Sequence, residues 1–173
     1  MVVIGGGAEM RRVGFVLILA LIAPGLAACA TPQAMTVAGI ATANPKYRNA
    51  MAIRSVTGGQ AMDVLTVPGV SNEPLKQALE NSLATTGYLA RSGAPKFYVD
   101  AEVRNLQQPL IGLTLDVTAD VVYKVSGAGG GTYPIRASGT ATFSDSPIAA
   151  DRMRIANERA MQANIKQFLE ALR

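Results

Sequence analysis

Few residue types in this chain can carry out covalent or metal chemistry. The 173 residues include one cysteine, Cys29, and neither histidine nor tryptophan. Without histidine the sequence excludes Ser-His-Asp and Cys-His catalysis and imidazole metal ligands, and one cysteine excludes intrachain disulfides and Cys-rich zinc sites. Carboxylates, lysines, hydroxyl groups and a single thiol remain.

Carboxylates are most concentrated in the middle of the chain. Asp100, Glu102, Asp116 and Asp120 each alternate with apolar residues. Paired acids near Lys124 could act as a general acid and base. The same pattern is typical of the solvent face of a sheet, where charges pair across strands and no cavity shifts a pKa. We interpret these residues as a solvated surface and expect no catalytic residue among them.

Cys29 ends a segment that has the order of a secretory leader. Met10-Arg11-Arg12 is positively charged, residues 13–23 are apolar, and Pro24-Gly25 interrupts the apolar run. Small residues then precede the thiol in Leu26-Ala27-Ala28-Cys29. This order predicts a signal peptide over residues 1–28.

Residues 1–9 do not suit the start of a leader, because they contain an acid, no base and three consecutive glycines. We therefore expect translation to start at Met10.

Two interpretations of this segment that leave Cys29 unmodified stay open. Residues 13–30 are uncharged and have the minimum length for a membrane anchor, and Ala28-Cys29-Ala30 fits ordinary signal cleavage.

The run Leu26-Ala27-Ala28-Cys29 resembles the lipobox of bacterial lipoproteins. The resemblance implies a diacylglycerol on the Cys29 thiol, removal of residues 1–28, and an N-acyl chain on the new N-terminus, with no other cofactor. Ala30 is not an aspartate, and similarity to the enterobacterial sorting rule implies lipid anchoring in the outer membrane with the domain in the periplasm.

Residues 29–46 are predicted to be the lipidated N-terminus and a tether, because they are small and polar with scattered prolines and no sustained period. Met35, Val37 and Ile40 could dock on the domain that follows. Residues 47–173 are predicted to form one domain. Their charges are spread along the chain, and the net charge of +4 for the whole sequence does not predict nucleic-acid binding.

The first predicted elements of this domain are a strand and a helix. Tyr47–Val56 is a predicted strand that stops at Thr57-Gly58-Gly59. Residues 60–70 are either a loop or a short additional strand. Ser71–Thr86 is a predicted helix that begins with Ser71 or Asn72 as cap and ends with Gly87 at the C′ position.

Three runs of alternating apolar residues follow, Phe97–Arg104, Ile111–Val125 and Tyr133–Phe143. They predict an antiparallel meander with one apolar face, and Gly127–Thr132 is its predicted hairpin loop. The inward positions include Ile111, Leu113 and Phe143. A long closing helix over Ala150–Leu172 carries an apolar stripe made by Met161, Ile165, Phe168, Leu169 and Leu172.

The predicted fold is α+β, a two-layer sandwich in which a four-stranded antiparallel sheet carries two helices on one face, in the order β-α-β-β-β-α. This order after a lipobox resembles the small envelope lipoproteins of the YajG type, and more loosely LptE and the auxiliary lipoproteins of ABC-type lipid transporters. The resemblance implies a noncatalytic accessory that is held on the membrane by its lipid and binds an envelope protein or a lipid.

The alternative function is a periplasmic enzyme that uses carboxylates or a Ser-Lys pair. A closed pocket in which an acid meets Lys124 or Ser138 would favour it.

The closing helix carries a candidate site in its first half. Stepping back from Met161 by threes and fours reaches Glu158, Asn157 and Arg154, so polar groups point where a core is expected. They are predicted either to overhang the sheet or to satisfy the backbone of residues 144–147. The alternative is a polar pocket or partner surface at the end of the sheet.

Overall fold

The computed structural model describes residues 30–40, 44–60 and 68–173. Cys29 and the predicted leader therefore lie outside the described residues, as does most of the connection 60–70. The elements are α1 (Pro32–Met35), a 3₁₀ turn (Pro45–Tyr47), β1 (Met51–Thr57), α2 (Asn72–Thr85), β2 (Phe97–Gln107), β3 (Leu115–Ser126), β4 (Gly131–Ala141) and α3 (Ala149–Ala171).

The fold is α+β, with a four-stranded sheet in the order β1-β2-β3-β4. The predicted meander is confirmed, since β2, β3 and β4 pair antiparallel. The prediction of an entirely antiparallel sheet is wrong, because β1 pairs parallel to β2 from Met51 opposite Phe97 to Thr57 opposite Glu102. The connection between these two neighbouring strands contains α2. A helix that crosses one face of the sheet returns the chain to the edge where β1 began.

Two helices cover the apolar face of this sheet, as predicted. The whole expected stripe from Met161 to Leu172, the C-cap of α3, is buried, and the buried residues of α2 include Leu75, Leu79 and Leu83. Gly87 ends α2 at a φ of 75°. The amide of Gly87 donates to Ala84 O at 3.2 Å and that of Tyr88 to Leu83 O at 2.8 Å, which is a Schellman ending. No helix of the described segments is long and apolar enough to cross a membrane.

Two predicted strands extend too far at one end of the sheet. The last pair between β3 and β4 joins Leu115 to Ala141. The expected inward positions Ile111, Leu113 and Phe143 lie beyond this pair, in loops, and are exposed. The alternation continues in the sequence, but none of the described strands and helices covers the face there. The first predicted strand also starts too early. It begins at Met51 rather than at Tyr47, because Tyr47 is the last residue of a 3₁₀ turn.

Residues 30–40, which we call the N-terminal segment, cover part of the predicted tether. They pack on the domain and are not a free spacer. Ala30, Met35 and Val37 are buried, and Ile40 packs against the same core. α1 contacts both α2 and α3. The segment therefore fills the groove between the two long helices, as its apolar residues allow.

Candidate functional site

The N-terminal segment runs beside α3 in the same direction as the helix. The backbone amide of Thr31 donates to Glu158, Gln162 donates to the carbonyl of Thr36, and Asn44 donates to the carbonyl of Leu172. Partners of successive residues thus advance along α3 towards its C-terminus.

Glu158 and Arg154, two of the predicted site residues, hold the start of this segment. Glu158 is buried, and its Oε1 accepts from the amide of Thr31 at 2.8 Å and from the hydroxyl of Thr31 at 3.2 Å. Its Oε2 accepts from Arg154 Nη1 at 2.9 Å, while Arg154 Nε lies 3.8 Å from Asp151. The carboxylate is therefore satisfied within the chain, which is what a buried charge needs. We call the bonds of Thr31 to Glu158 the N-terminal latch.

Buried hydroxyls of α2 fix the other side of the segment. Val37 N donates to Ser82 Oγ at 2.9 Å, and Ser82 Oγ donates in turn to Ala78 O at 2.6 Å. Thr85 Oγ1 donates to Val37 O at 2.8 Å. Both backbone groups of Val37 are paired in the core, so the segment is an ordered part of the domain.

Asn157, the third predicted site residue, joins α3 to two distant loops. It is fully buried. Its Nδ2 donates to Pro68 O at 2.6 Å, and its Oδ1 accepts from Gln108 Nε2 at 2.8 Å. The structure therefore places Asn157 one helix position from Glu158 but assigns it to a different contact, at the end of β2.

Arg152 is a residue that the sequence analysis missed. It is buried, its Nη1 donates to Ser146 O at 2.9 Å and Pro147 O at 3.0 Å, and its Nη2 lies 3.4 Å from Gly112 O. Its guanidinium carbon lies 5.7 Å from the centre of the Phe143 ring. Arg152 thus joins the β2–β3 loop to the β4–α3 loop. Helical spacing in the sequence could have identified Arg152 as a residue of the buried face, because it lies four and eight residues before Ala156 and Ala160.

These two loops carry a group of exposed apolar side chains, which we call the apolar tip. Leu110 and Ile111 are each 91% exposed, Leu113 is 72% exposed, and Phe143 and Ile148 are 57% and 53% exposed. Elsewhere in the described residues the large exposed apolar side chains comprise only Tyr98, at 38%. A cleft of about 390 Å³ lies behind the tip, between Leu110, Ile111, Met153 and Arg152. Exposed apolar side chains that are grouped on neighbouring loops are typical of an interaction surface.

The acidic residues on the charged face of the sheet bind basic or hydroxyl side chains of the chain itself. Asp100 pairs with Arg54 and accepts from Ser55 Oγ at 2.7 Å. The Arg54 hydrogen bond is the main reason why the pKa of Asp100 falls to about 2. Ser138 bonds Thr118 at 2.8 Å on the exposed face. No described group of three or more acidic, cysteine or histidine residues could hold a metal ion.

Comparisons with known proteins give distant structural similarity. No family model matches the chain, and no curated protein matches it. A candidate lipoprotein from Caulobacter crescentus CB15 is 17% identical, with a TM-score of 0.46 over 72% of this chain and 88% of that chain. A Xanthomonas campestris protein of the DUF330 family is 13% identical, with a TM-score of 0.46 over 79% and 90% of the two chains. A hypothetical protein from Chlamydia trachomatis is 11% identical, with a TM-score of 0.46 over 72% and 93%.

Proposed function

We propose that the protein is a noncatalytic accessory lipoprotein of a bacterial envelope, anchored by acyl chains on Cys29. The single observation that carries this proposal is continuity between the lipobox and the folded domain. Ala30, the residue after the predicted lipidated cysteine, is buried, and Thr31 is held by Glu158. In this proposal the acylated residue directly precedes the folded domain, so the anchor holds the domain close to the membrane.

In this proposal the domain lies in the periplasm, its anchor is in the outer membrane, and its partner is another envelope protein or a lipid. The contacts made by the buried polar side chains of α3 support binding rather than catalysis. Arg152, Arg154, Asn157 and Glu158 all bind segments of the chain itself. Arg152 and Asn157 organise the loops at the end of the sheet, whereas Arg154 and Glu158 hold the N-terminal segment.

The anchor is tested by the mass of the mature N-terminal peptide and by membrane fractionation. We expect acylated Cys29 in the wild type, and loss of acylation in Cys29→Ala with altered membrane retention. Thr31→Val is the matched control, because it removes the hydroxyl bond to Glu158 but keeps the cysteine. A mature N-terminus at Thr31 in the wild type would contradict the anchor.

The accessory function is tested by crosslinking the lipidated protein in intact envelopes, followed by mass spectrometry of captured proteins and lipids. We expect a reproducible partner in the wild type that is depleted when Cys29→Ala is used as bait. Recovery of no protein or lipid above background from intact envelopes would contradict the accessory function.

A further inference from the structure

We propose that the apolar tip is a membrane-contacting surface that inserts into the same leaflet as the acyl chains of Cys29. This inference rests on the proposed lipid anchor and adds to it an orientation and a second point of contact. The tip consists of Leu110, Ile111, Leu113, Phe143 and Ile148, as defined above.

The N-terminal latch brings the start of the described chain near the tip. Thr31 binds Glu158 of α3, and the loops of the tip lie at the first residue of this helix, Ala149. Glu158 lies nine residues into α3, about 14 Å from its start at 1.5 Å per residue. Two residues of chain span at most about 7 Å. An anchor two residues before Thr31 is therefore at most about 7 Å from Thr31.

The tip is built as a surface that is organised before it meets a membrane. Arg152 bonds both loops, to Ser146 and Pro147 on one side and to Gly112 on the other. Asn157 and Gln108 fix the end of β2 directly before Leu110. Apolar side chains on loops held in this way can enter the acyl-chain boundary without first ordering the loops.

Nearby acidic residues do not oppose this contact, because Arg152, Arg154 and Arg159 offset the three acids Asp145, Asp151 and Glu158. Asp145 pairs with Arg159 at 2.7 Å, and Glu158 pairs with Arg154 at 2.9 Å. Asp151 lies 3.8 Å from Arg154. Carboxylates at the edge of the tip are therefore compensated before they approach anionic headgroups.

The lipid anchor also decides which occupant fits the tip. A bilayer leaflet offers about 15 Å of hydrocarbon, half of the usual core thickness. Acyl chains attached two residues before Thr31 hold the domain close to this leaflet, where the tip can reach its hydrocarbon. The acyl chains of Cys29 already provide stable anchoring, and the tip adds a second contact that orients the domain on the membrane.

Depth-dependent fluorescence quenching tests the inference, because the chain contains no tryptophan. Ile111→Trp places one reporter in the tip. Ala128→Trp places a matched reporter in the exposed β3–β4 hairpin, at the opposite end of the sheet. Both full-length lipoproteins are reconstituted in vesicles of phosphatidylethanolamine and phosphatidylglycerol that carry bromine along the acyl chains. Mass spectrometry of the same samples reports acylation of Cys29.

We expect blue-shifted emission from Ile111→Trp with several-fold stronger bromine quenching than from Ala128→Trp. Equal, solvent-like emission from both reporters would overturn the membrane-contacting tip, even with Cys29 acylated. Blue-shifted emission without bromine quenching would also overturn it, since another protein or a second copy would then cover the tip. Unacylated Cys29 would refute the proposed anchor separately, and the quenching of the same sample would still decide whether the tip enters lipid.

Discussion

At the residue scale, Asn164 shows how a buried polar group joins α3 to the sheet. Its Nδ2 donates to Ala119 O at 2.9 Å and to Ile135 O at 3.0 Å, and its Oδ1 accepts from the hydroxyl of Tyr123 at 2.9 Å. Burial raises the pKa of Tyr123 well above its usual range. The phenol therefore remains a neutral donor, and the amide is fully used.

Asn164→Ala is expected to lower the free energy of unfolding by about 2–4 kcal/mol, because it leaves several buried groups without partners. Tyr123→Phe removes one of the three bonds and keeps the ring, which stacks on Phe168 at 4.1 Å. We expect it to cost about 1–2 kcal/mol. Urea denaturation measures both variants, and equal losses would contradict this account of Asn164.

The N-terminal latch leads to a second residue-scale prediction. Glu158→Ala removes the acceptor of Thr31 and the partner of Arg154, so we expect a loss of about 1–3 kcal/mol. Hydrogen exchange at Thr31 should accelerate more than exchange in the strands. Glu170→Ala is the matched control, since this glutamate is exposed on α3. Unchanged exchange at Thr31 in Glu158→Ala would refute the latch.

At the element scale, α3 approaches β4 so closely that their backbones meet at Gly139. A Cβ at this position would lie 2.2 Å from Ala160 N and 2.6 Å from Ala156 O. Both alanines are fully buried. The close contact explains why small residues occupy facing positions on the helix and the strand.

Gly139→Ala is therefore expected to destabilise the fold by about 3 kcal/mol or more, because the added methyl group meets helix backbone rather than a movable side chain. Ser138→Ala, at the exposed neighbouring position, should cost less than about 1 kcal/mol through its bond to Thr118. Thermal unfolding of the two variants measures the difference. A tolerated Gly139→Ala would show that α3 does not pack on β4 this tightly.

Elements with a clear period were predictable from the sequence. Phe97–Arg104 alternates because one face of β2 is buried, and the stripe from Met161 to Leu172 repeats because one side of α3 is buried. The direction of β1 was not predictable from its own pattern, because it depends on the connection through α2. The prediction that Phe143 is an inward strand residue was wrong for a related reason, since the pairing of β3 with β4 ends at Ala141.

The candidate site was predictable only in part. Helical spacing singled out Glu158 and Asn157 as polar residues on an apolar face. Their partners Thr31 and Pro68 are 127 and 89 residues away in the chain. Contacts at such separations depend on the folded arrangement, and no local pattern in a single sequence encodes them.

At the scale of the whole molecule, two ion pairs hold elements together across the outer surface. Arg54 of β1 pairs with Asp100 of β2, and Arg159 of α3 pairs with Asp145 of the β4–α3 loop. The Arg54 hydrogen bond lowers the pKa of Asp100 to about 2, and the Arg159 hydrogen bond lowers the pKa of Asp145 well below its usual range. Both carboxylates thus favour the folded state when they are ionised.

Acid unfolding should reveal this pair of carboxylates. Their pKa values are lower in the folded than in the unfolded protein, so the unfolded chain binds more protons and stability falls as the pH drops from about 4 towards about 2. The exposure of both pairs keeps the effect small. The double variant Asp100→Asn with Asp145→Asn should therefore flatten the pH dependence of urea unfolding in this interval. Asp116→Asn is the control, because Asp116 accepts from Thr140 and its loss breaks no ion pair. A double variant as steeply pH-dependent as the wild type would contradict this assignment.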